Sequence, residues 1–414
     1  MFKRIRLGSA LKYLEVASLC TATAAIHAQS LDRRSAGDAM GERFADFLTR
    51  VTAHDDVGEK KRIVQEYIAR VKSLKHAVTE DSTVHFLYQG PALHVGIPSD
   101  FNGWNPAIDT MSRIEGTDLF YLVKSVETSA RFEYKFVVDT TWILDPLNSQ
   151  QAIGGYGPNS EIWMPDYVPP KEIRYRADIL HGRLDTMPVK SNLLKRTHPV
   201  FVYTPAGYKK SRVAYPAIYV TDGGEYITLA LMVNVLDNLI EEKRIEPVVA
   251  IFIDPRTNIS DSQTSARMYD YTLKDTFVNF VTDEVRNRVR NKYRITNNPQ
   301  LTAIMGASLG GLIATYAAYT RPEVFGLCAA QSPAYWWKDE AMINTIANGP
   351  KKPIRLYVDT GTIRDAGAAA RKMKSVLKEK GYEFSYAEYA EGHNWSNWRA
   401  RIDDILVYFY GTHR

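Results

Sequence analysis

From about residue 171 to the C-terminal end, short apolar runs alternate with longer amphipathic stretches, and this alternation constrains the fold more than any other feature. The runs HPVFVYTPAGY, YPAIYVTDGG, PVVAIFIDP, LTAIMGAS, LCAAQSP and IRLYVDTG are rich in Val, Ile, Ala and Tyr. Near-continuous apolar strands of this kind are buried on both faces. Between most of them lie stretches with helical spacing, such as ITLALMVNVLDNLIEEKRI, LKDTFVNFVTDEVRNRV, GGLIATYAAYTRP and AAARKMKSVLKEKG. The pattern predicts an α/β fold with a doubly wound, mostly parallel sheet covered by helices on both faces. In such sheets catalytic groups collect at the carboxyl ends of the strands.

At 414 residues the chain is too long for one ordinary core, and two or three domains are expected. Between about 80 and 168 the apolar period changes to two. STVHFLYQG, ALHVGIP, DLFYLVKSV, ARFEYKFVVD and TWILDP are short β-branched or aromatic segments between turn residues, which predicts an all-β sandwich. GGYGPNSEIWMPDY reads as its last, edge strand. Residues 30–79 are helical in pattern, with Phe44, Phe47 and Leu48 at i, i+3, i+4 and the same spacing in Ile63, Val64, Tyr67, Ile68 and Val71. Residues 1–29 resemble a signal peptide: Lys3, Arg4 and Arg6, a moderately apolar stretch, then small residues ending at Ala28. That predicts a periplasmic or secreted protein. Glu15 and Ile26 depart from the pattern, and an uncleaved start would leave the protein cytoplasmic.

The formal charge is +5 with no block of Lys and Arg, so nucleic acid is not an expected partner. Two cysteines, Cys20 and Cys328, exclude a disulfide framework, and no Cys/His cluster has metal-site spacing. A metal-free and cofactor-free protein is expected. Beyond the N-terminal segment no stretch of ~20 apolar residues occurs, so no membrane span is expected.

The chemistry centres on Gly306-Ala307-Ser308-Leu309-Gly310, a G-x-S-x-G pattern after the run QLTAIM and before the helical GGLIATYAAY. This is the strand–turn–helix setting of a nucleophile elbow. The serine sits on a sharp turn, so the residues two before and two after must be small. A serine hydroxyl needs a general base, oriented by a carboxylate, and the expected chain order is Ser, acid, His. Of nine histidines only His393 and His413 follow Ser308, and His413 is penultimate. His393, in EYAEGHNWSNW, is the predicted base. The acid is expected after IRLYVDTG. Asp365, in the loop GTIRDAG, is preferred to Asp359, which lies within the strand. Arg364 beside Asp365 is a candidate for keeping it ionised. The oxyanion needs two N–H donors, expected from Leu309 and from Gly223 or Gly224 in VTDGG. Trp336 and Trp337 in QSPAYWW, and Trp398 and Arg399 in HNWSNWR, are candidates for a substrate pocket. Arg256 and Arg267 are candidate contacts for an anionic group, although the reading as ordinary surface arginines is preferred.

VTDGG, GASLGG, SPAYWW and EGHNWSNWR together resemble the putative-esterase family of α/β-hydrolases, over about 171–414. That family includes enterochelin (ferric siderophore) esterases, esterase D-like enzymes and feruloyl esterases, and the enterochelin-esterase branch is the most similar. The resemblance implies an α/β-hydrolase fold, Ser308 as nucleophile, His393 as base and the carboxylate after DTG as orienting acid. In the family the acid often stands three residues after the glycine. Here position 364 is arginine and Asp365 follows it, so a Ser–His dyad is the alternative. Residues 80–168 resemble the immunoglobulin-like early-set domain that precedes such esterases, with VHFLYQGPALHVGIPSDFNGWNP as the most specific stretch. Trp104 and Trp142 are placed to stack on sugar or to pack in a core. The expected activity is hydrolysis of a small-molecule or sugar-linked carboxylic ester through an acyl-enzyme. The alternatives are acyl transfer to a sugar acceptor, or a carbohydrate-binding protein with an inactive hydrolase half.

Overall fold

The computed structural model describes residues 41–208, 213–256 and 263–412. The signal-peptide-like residues 1–29, the start of the 30–79 stretch and His413 lie outside them. Asp56 caps the helix Val57–Leu74, its carboxylate accepting the Glu59 amide at 2.7 Å. The apolar face of this helix packs on Phe44, Phe47 and Val51 of the helix Phe44–Thr52. Phe47 and Tyr67 stack with centroids 3.9 Å apart. The same cluster takes in Val78, Leu87, Ile114 and Leu119. The two helices therefore cover one face of the sheet that follows.

That sheet is antiparallel, with strands in the order Val78–Glu80, Thr83–Gln89, Leu119–Ser125 and Ser112–Arg113. Val84 and Phe86 point into a second core with Phe120, Phe132, Tyr134, Phe136 and Ile162. Leu87 points the other way, under the helices, so the strand is buried on both faces. Two three-stranded antiparallel sheets complete this all-β unit. One is Arg131–Tyr134, Gly157–Trp163, Gln151–Gly154; the other is Val95–Gly96, Phe136–Val138, Thr141–Ile143. The segment Gly157–Trp163, expected at an edge, is instead central, paired on both sides. Its second partner, Gln151–Gly154, is a strand of only four residues that ends in glycine.

The larger sheet has eight strands: β1 (Arg183–Thr186), β2 (Val200–Thr204), β3 (Ala217–Thr221), β4 (Val249–Ile253), β5 (Thr302–Ala307), β6 (Leu327–Gln331), β7 (Arg355–Gly361) and β8 (Glu383–Tyr389). They lie in the order β1-β2-β4-β3-β5-β6-β7-β8. β2 runs antiparallel to β1 and β4, and all pairs from β4 to β8 are parallel. This is the α/β-hydrolase sheet, helix-covered on both faces. Tyr219 and Ile304 pack on one side with Leu312, Ile313 and Ala317 of the helix Leu309–Thr320. Ile218, Val220, Ala303 and Met305 pack on the other with Leu236, Leu239, Ile405 and Leu406. Successive residues go to opposite faces. With each buried Leu or Ile worth about 1.5–3 kcal/mol, a one-residue slip would exchange two fitted faces, which pins the register. β5 lies inside the sheet between β3 and β6, and its carboxyl end carries Ser308. No helix among the described residues is long and apolar enough to cross a membrane.

Candidate active site

Ser308 stands at the turn from β5 into the helix Leu309–Thr320 with φ 58° and ψ −121°. A non-glycine residue there costs on the order of 1–3 kcal/mol. Three backbone hydrogen bonds hold it: Ser308 N to Gln331 O at 2.9 Å, Ala334 N to Ser308 O at 3.0 Å and Leu312 N to Ser308 O at 3.1 Å. The flanking glycines let the turn after β3 press against this elbow. A Cβ on Gly306 would collide with Thr221 Oγ1, and one on Gly310 would come within 2.6 Å of the same atom and 2.9 Å of Asp222 Oδ2.

His393 lies in the loop between β8 and the helix Trp395–Arg399. Its Nε2 is 3.0 Å from Ser308 Oγ and its Nδ1 is 2.6 Å from Asp365 Oδ1. The imidazole is 40% exposed, whereas the Asp365 side chain is fully buried. Asp365 Oδ2 accepts the Ser332 hydroxyl and the Gly361 amide, each at 2.5 Å. Burial works against the ionised carboxyl, but the hydrogen bond and charge of His393, the Ser332 hydroxyl and the Gly361 amide outweigh it and hold Asp365 below the ordinary carboxylate range. Arg364 is not among these causes. At φ 46° it turns away, and its guanidinium lies beside Gly103. The expectation that Arg364 keeps Asp365 ionised is therefore corrected.

Asp359 stands apart from the histidine. It is buried inside β7, 3.4 Å from Gln331 Nε2. Burial pushes its carboxyl up to about 8, against the pull of Arg401 and Gln331. Nothing in the run QSPAYWW marks out Ser332 beyond its aromatic neighbours. Ser332 anchors the acid and in turn accepts the Trp398 indole N–H at 3.0 Å. Trp398 itself is buried, edge-on to His393 with centroids 5.1 Å apart. It backs the imidazole instead of facing an open pocket. Trp336 is 57% exposed and stands two residues beyond Ala334, whose amide binds Ser308. Trp337 opens the helix Trp337–Asn348 and packs partly on the core. Arg399 is half-buried, and its charge acts on the buried Glu391.

Leu309 is the first residue of its helix, and Gly223 and Gly224 open the helix Gly223–Thr228. The first N–H groups of a helix have no intrahelical partner. The turn after β3 packs on the elbow through Thr221 and Asp222, which lie against Gly306 and Gly310. Arg267 fixes that turn: it donates to both Asp222 oxygens at 2.7 Å and to Ala307 O at 3.4 Å. Arg256 binds Asp254 through Nε at 2.9 Å and Nη2 at 2.8 Å, and pairs with Glu225 at 3.1 Å. Both arginines, candidates for an anionic substrate group, thus have carboxylate partners within the chain. Burial, with the nearby Asp222 charge, pushes Glu225 up to about 7, against the pull of Arg256 and Arg267. Among the described residues no group of three or more His, Cys, Asp or Glu could hold a metal ion.

The family model described as "Putative esterase" matches residues 191–409, more than half of the chain. The chain is 24% identical over 348 residues to an iron(III) enterobactin esterase of Escherichia coli, covering 72% of this chain and 81% of that protein. It is 24% identical over 242 residues to an endo-1,4-beta-xylanase/feruloyl esterase of Xylanibacter ruminicola, covering 56% of this chain and 32% of that longer protein. The crystal structure of the ferric enterobactin esterase from Salmonella typhimurium superposes with a TM-score of 0.68 at 21% identity, over 78% of this chain and 92% of that one.

Proposed function

The chain belongs to the Putative esterase family and is a carboxylic ester hydrolase; from that premise we propose that it works through an acyl-enzyme on Ser308, with His393 as general base and Asp365 as orienting acid. The observation that carries this reading is the hydrogen-bonded chain Asp365–His393–Ser308, at 2.6 and 3.0 Å. Asp365 accepts from Nδ1 and so leaves the lone pair of Nε2 facing the serine hydroxyl. His393 takes the Ser308 proton as Oγ attacks the ester carbonyl. The carbonyl oxygen becomes an oxyanion held by the Leu309 N–H and a Gly223 or Gly224 N–H. Collapse of the tetrahedral intermediate expels the alcohol, which receives the proton from His393. Water, deprotonated by the same histidine, then releases the acid and restores Ser308.

The substrate class we propose is an acyl or aryl ester of siderophore type, which the names of the enterobactin-esterase relatives support. The exposed Trp336, two residues beyond Ala334 whose amide binds Ser308, supports an aryl or acyl group bound on that side. Within the same reading residues 80–168 form the immunoglobulin-like, early-set domain and residues 171–414 the catalytic domain. The test is a panel of p-nitrophenyl, feruloyl and catecholate esters with the wild type and Ser308→Ala. The expected loss in kcat is on the order of 10³-fold or more. Undiminished hydrolysis by the variant would sink the mechanism.

A further inference from the structure

The loop that carries His393 is not held by the α/β unit alone. Asn394, the next residue, uses both ends of its amide on the all-β unit. Its Nδ2 donates to Asp100 Oδ2 at 2.9 Å, and its Oδ1 accepts from Arg131 Nη1 at 3.0 Å. The same Oδ1 caps the helix Trp395–Arg399 by accepting the Asn397 amide at 3.1 Å. On the other side of His393, Gly392 packs so tightly on Asp100 that a Cβ there would come within 2.5 Å of the carboxyl carbon. Two residues earlier, the Ala390 carbonyl accepts the Arg131 amide at 3.0 Å.

The two anchors are themselves immobilised. Arg131 is fully buried, and its guanidinium is held by Glu161 at 2.5 Å and Glu133 at 2.8 Å. Asp100 accepts the Glu133 amide at 2.9 Å and a hydrogen bond from Trp104. The acid loop follows the same arrangement. Ile363, two residues before Asp365, is buried in the core of the all-β unit, and its amide donates to Glu391 O at 3.1 Å. Base and acid are thus seated side by side on one rigid platform from the other unit.

We propose that Asp100 and Arg131 are positioning residues for the hydrolytic centre: acting through Asn394, they set the reach of His393 Nε2 to Ser308, so that the active site spans both units. The proposal rests on the serine-hydrolase reading above. A base displaced by about 1 Å can cost on the order of 10²-fold in rate without weakening substrate binding. A platform that only stabilised the fold would change melting and leave the chemistry of folded molecules intact.

The full chain carrying Asn394→Ser separates the two roles, because serine keeps the helix cap but does not reach Asp100 and Arg131. The expected result is a kcat lower by about 10- to 100-fold with KM within about twofold of wild type. The low-field NMR resonance of the His393 Nδ1 proton should shift or broaden alongside. Asp100→Ala should give the same split, and Asp100→Asn, which keeps an acceptor for Asn394, should recover most of the rate. If Asn394→Ser does not fold, the Asp100 pair decides. Unchanged kcat and an unchanged resonance in folded Asn394→Ser or Asp100→Ala, beside an inactive Ser308→Ala, would overturn this inference alone. A fully active Ser308→Ala would instead remove the hydrolase reading beneath it.

Discussion

Asp365→Asn is the substitution whose effect the geometry defines most sharply. Asp365 Oδ2 faces three donors, the Ser332 hydroxyl and the Gly361 amide, both at 2.5 Å, and the Thr360 hydroxyl at 3.3 Å. An amide group cannot meet these donors with its own NH₂, so the asparagine oxygen must take that side. Its NH₂ then points at His393 Nδ1, where the carboxylate now sits at 2.6 Å. Nδ1 becomes an acceptor, the proton moves to Nε2, and the nitrogen facing Ser308 can no longer take its proton. The same swap of carboxylate for amide in a serine-protease triad lowers kcat about 10⁴-fold, or about 5.5 kcal/mol at 1.36 kcal/mol per tenfold. The assay is steady-state hydrolysis of a p-nitrophenyl ester at pH 7, with circular dichroism to verify folding. A folded Asp365→Asn within about tenfold of wild type, or a collapse of activity in Asp359→Asn instead, would refute the assignment of the acid.

Two further outcomes follow from the same surroundings. Asp359 binds its proton more tightly in the fold, its carboxyl pushed from 3.8 to about 8. Its contribution to stability is therefore complete below the unfolded value and is lost as pH rises through the folded one. Urea unfolding of Asp359→Asn should show less loss of stability than wild type between about pH 4 and pH 8; parallel curves for the two would contradict the shift. Arg267→Met leaves the 1%-exposed Asp222 without its bidentate partner. It should cost about 3–5 kcal/mol in urea unfolding and lower kcat by loosening the turn with Gly223 and Gly224; a neutral effect on both would show that Arg267 does not brace the turn.

The β-period and helix-period stretches were legible because burial on one or two faces writes itself into spacing. Strands β2 to β7 of the larger sheet needed nothing more than apolar runs and the helices between them, whereas β1, the polar and mostly exposed RLDT of Arg183–Thr186, leaves no such mark. Ser308 as candidate nucleophile and His393 as candidate base were legible too, because a strand end followed by a glycine-containing turn is a local feature. The edge reading of Gly157–Trp163 failed because which strand lies beside which is not local: pairing with Gln151–Gly154 and with Arg131–Tyr134 is a matter of tertiary contact.

The sequence by itself determined the fold class, the candidate nucleophile and base, and a short choice of acids, since each depends on residue type and near neighbours. Only the tertiary structure decided which carboxylate meets the imidazole. Asp359 and Asp365 are six residues apart, yet one is locked inside β7 and the other sits at the end of the loop that faces His393. It also revealed partners that no spacing predicts: Ser332 on the acid, Trp398 behind the base, Arg267 across Asp222, and Asp100 with Arg131 on Asn394, 294 and 263 residues away along the chain. Hydrogen bonds and ion pairs act over about 3 Å of space and are indifferent to sequence separation. The partners of Ser308, Asp365 and His393 were therefore set by the packing of two units against each other.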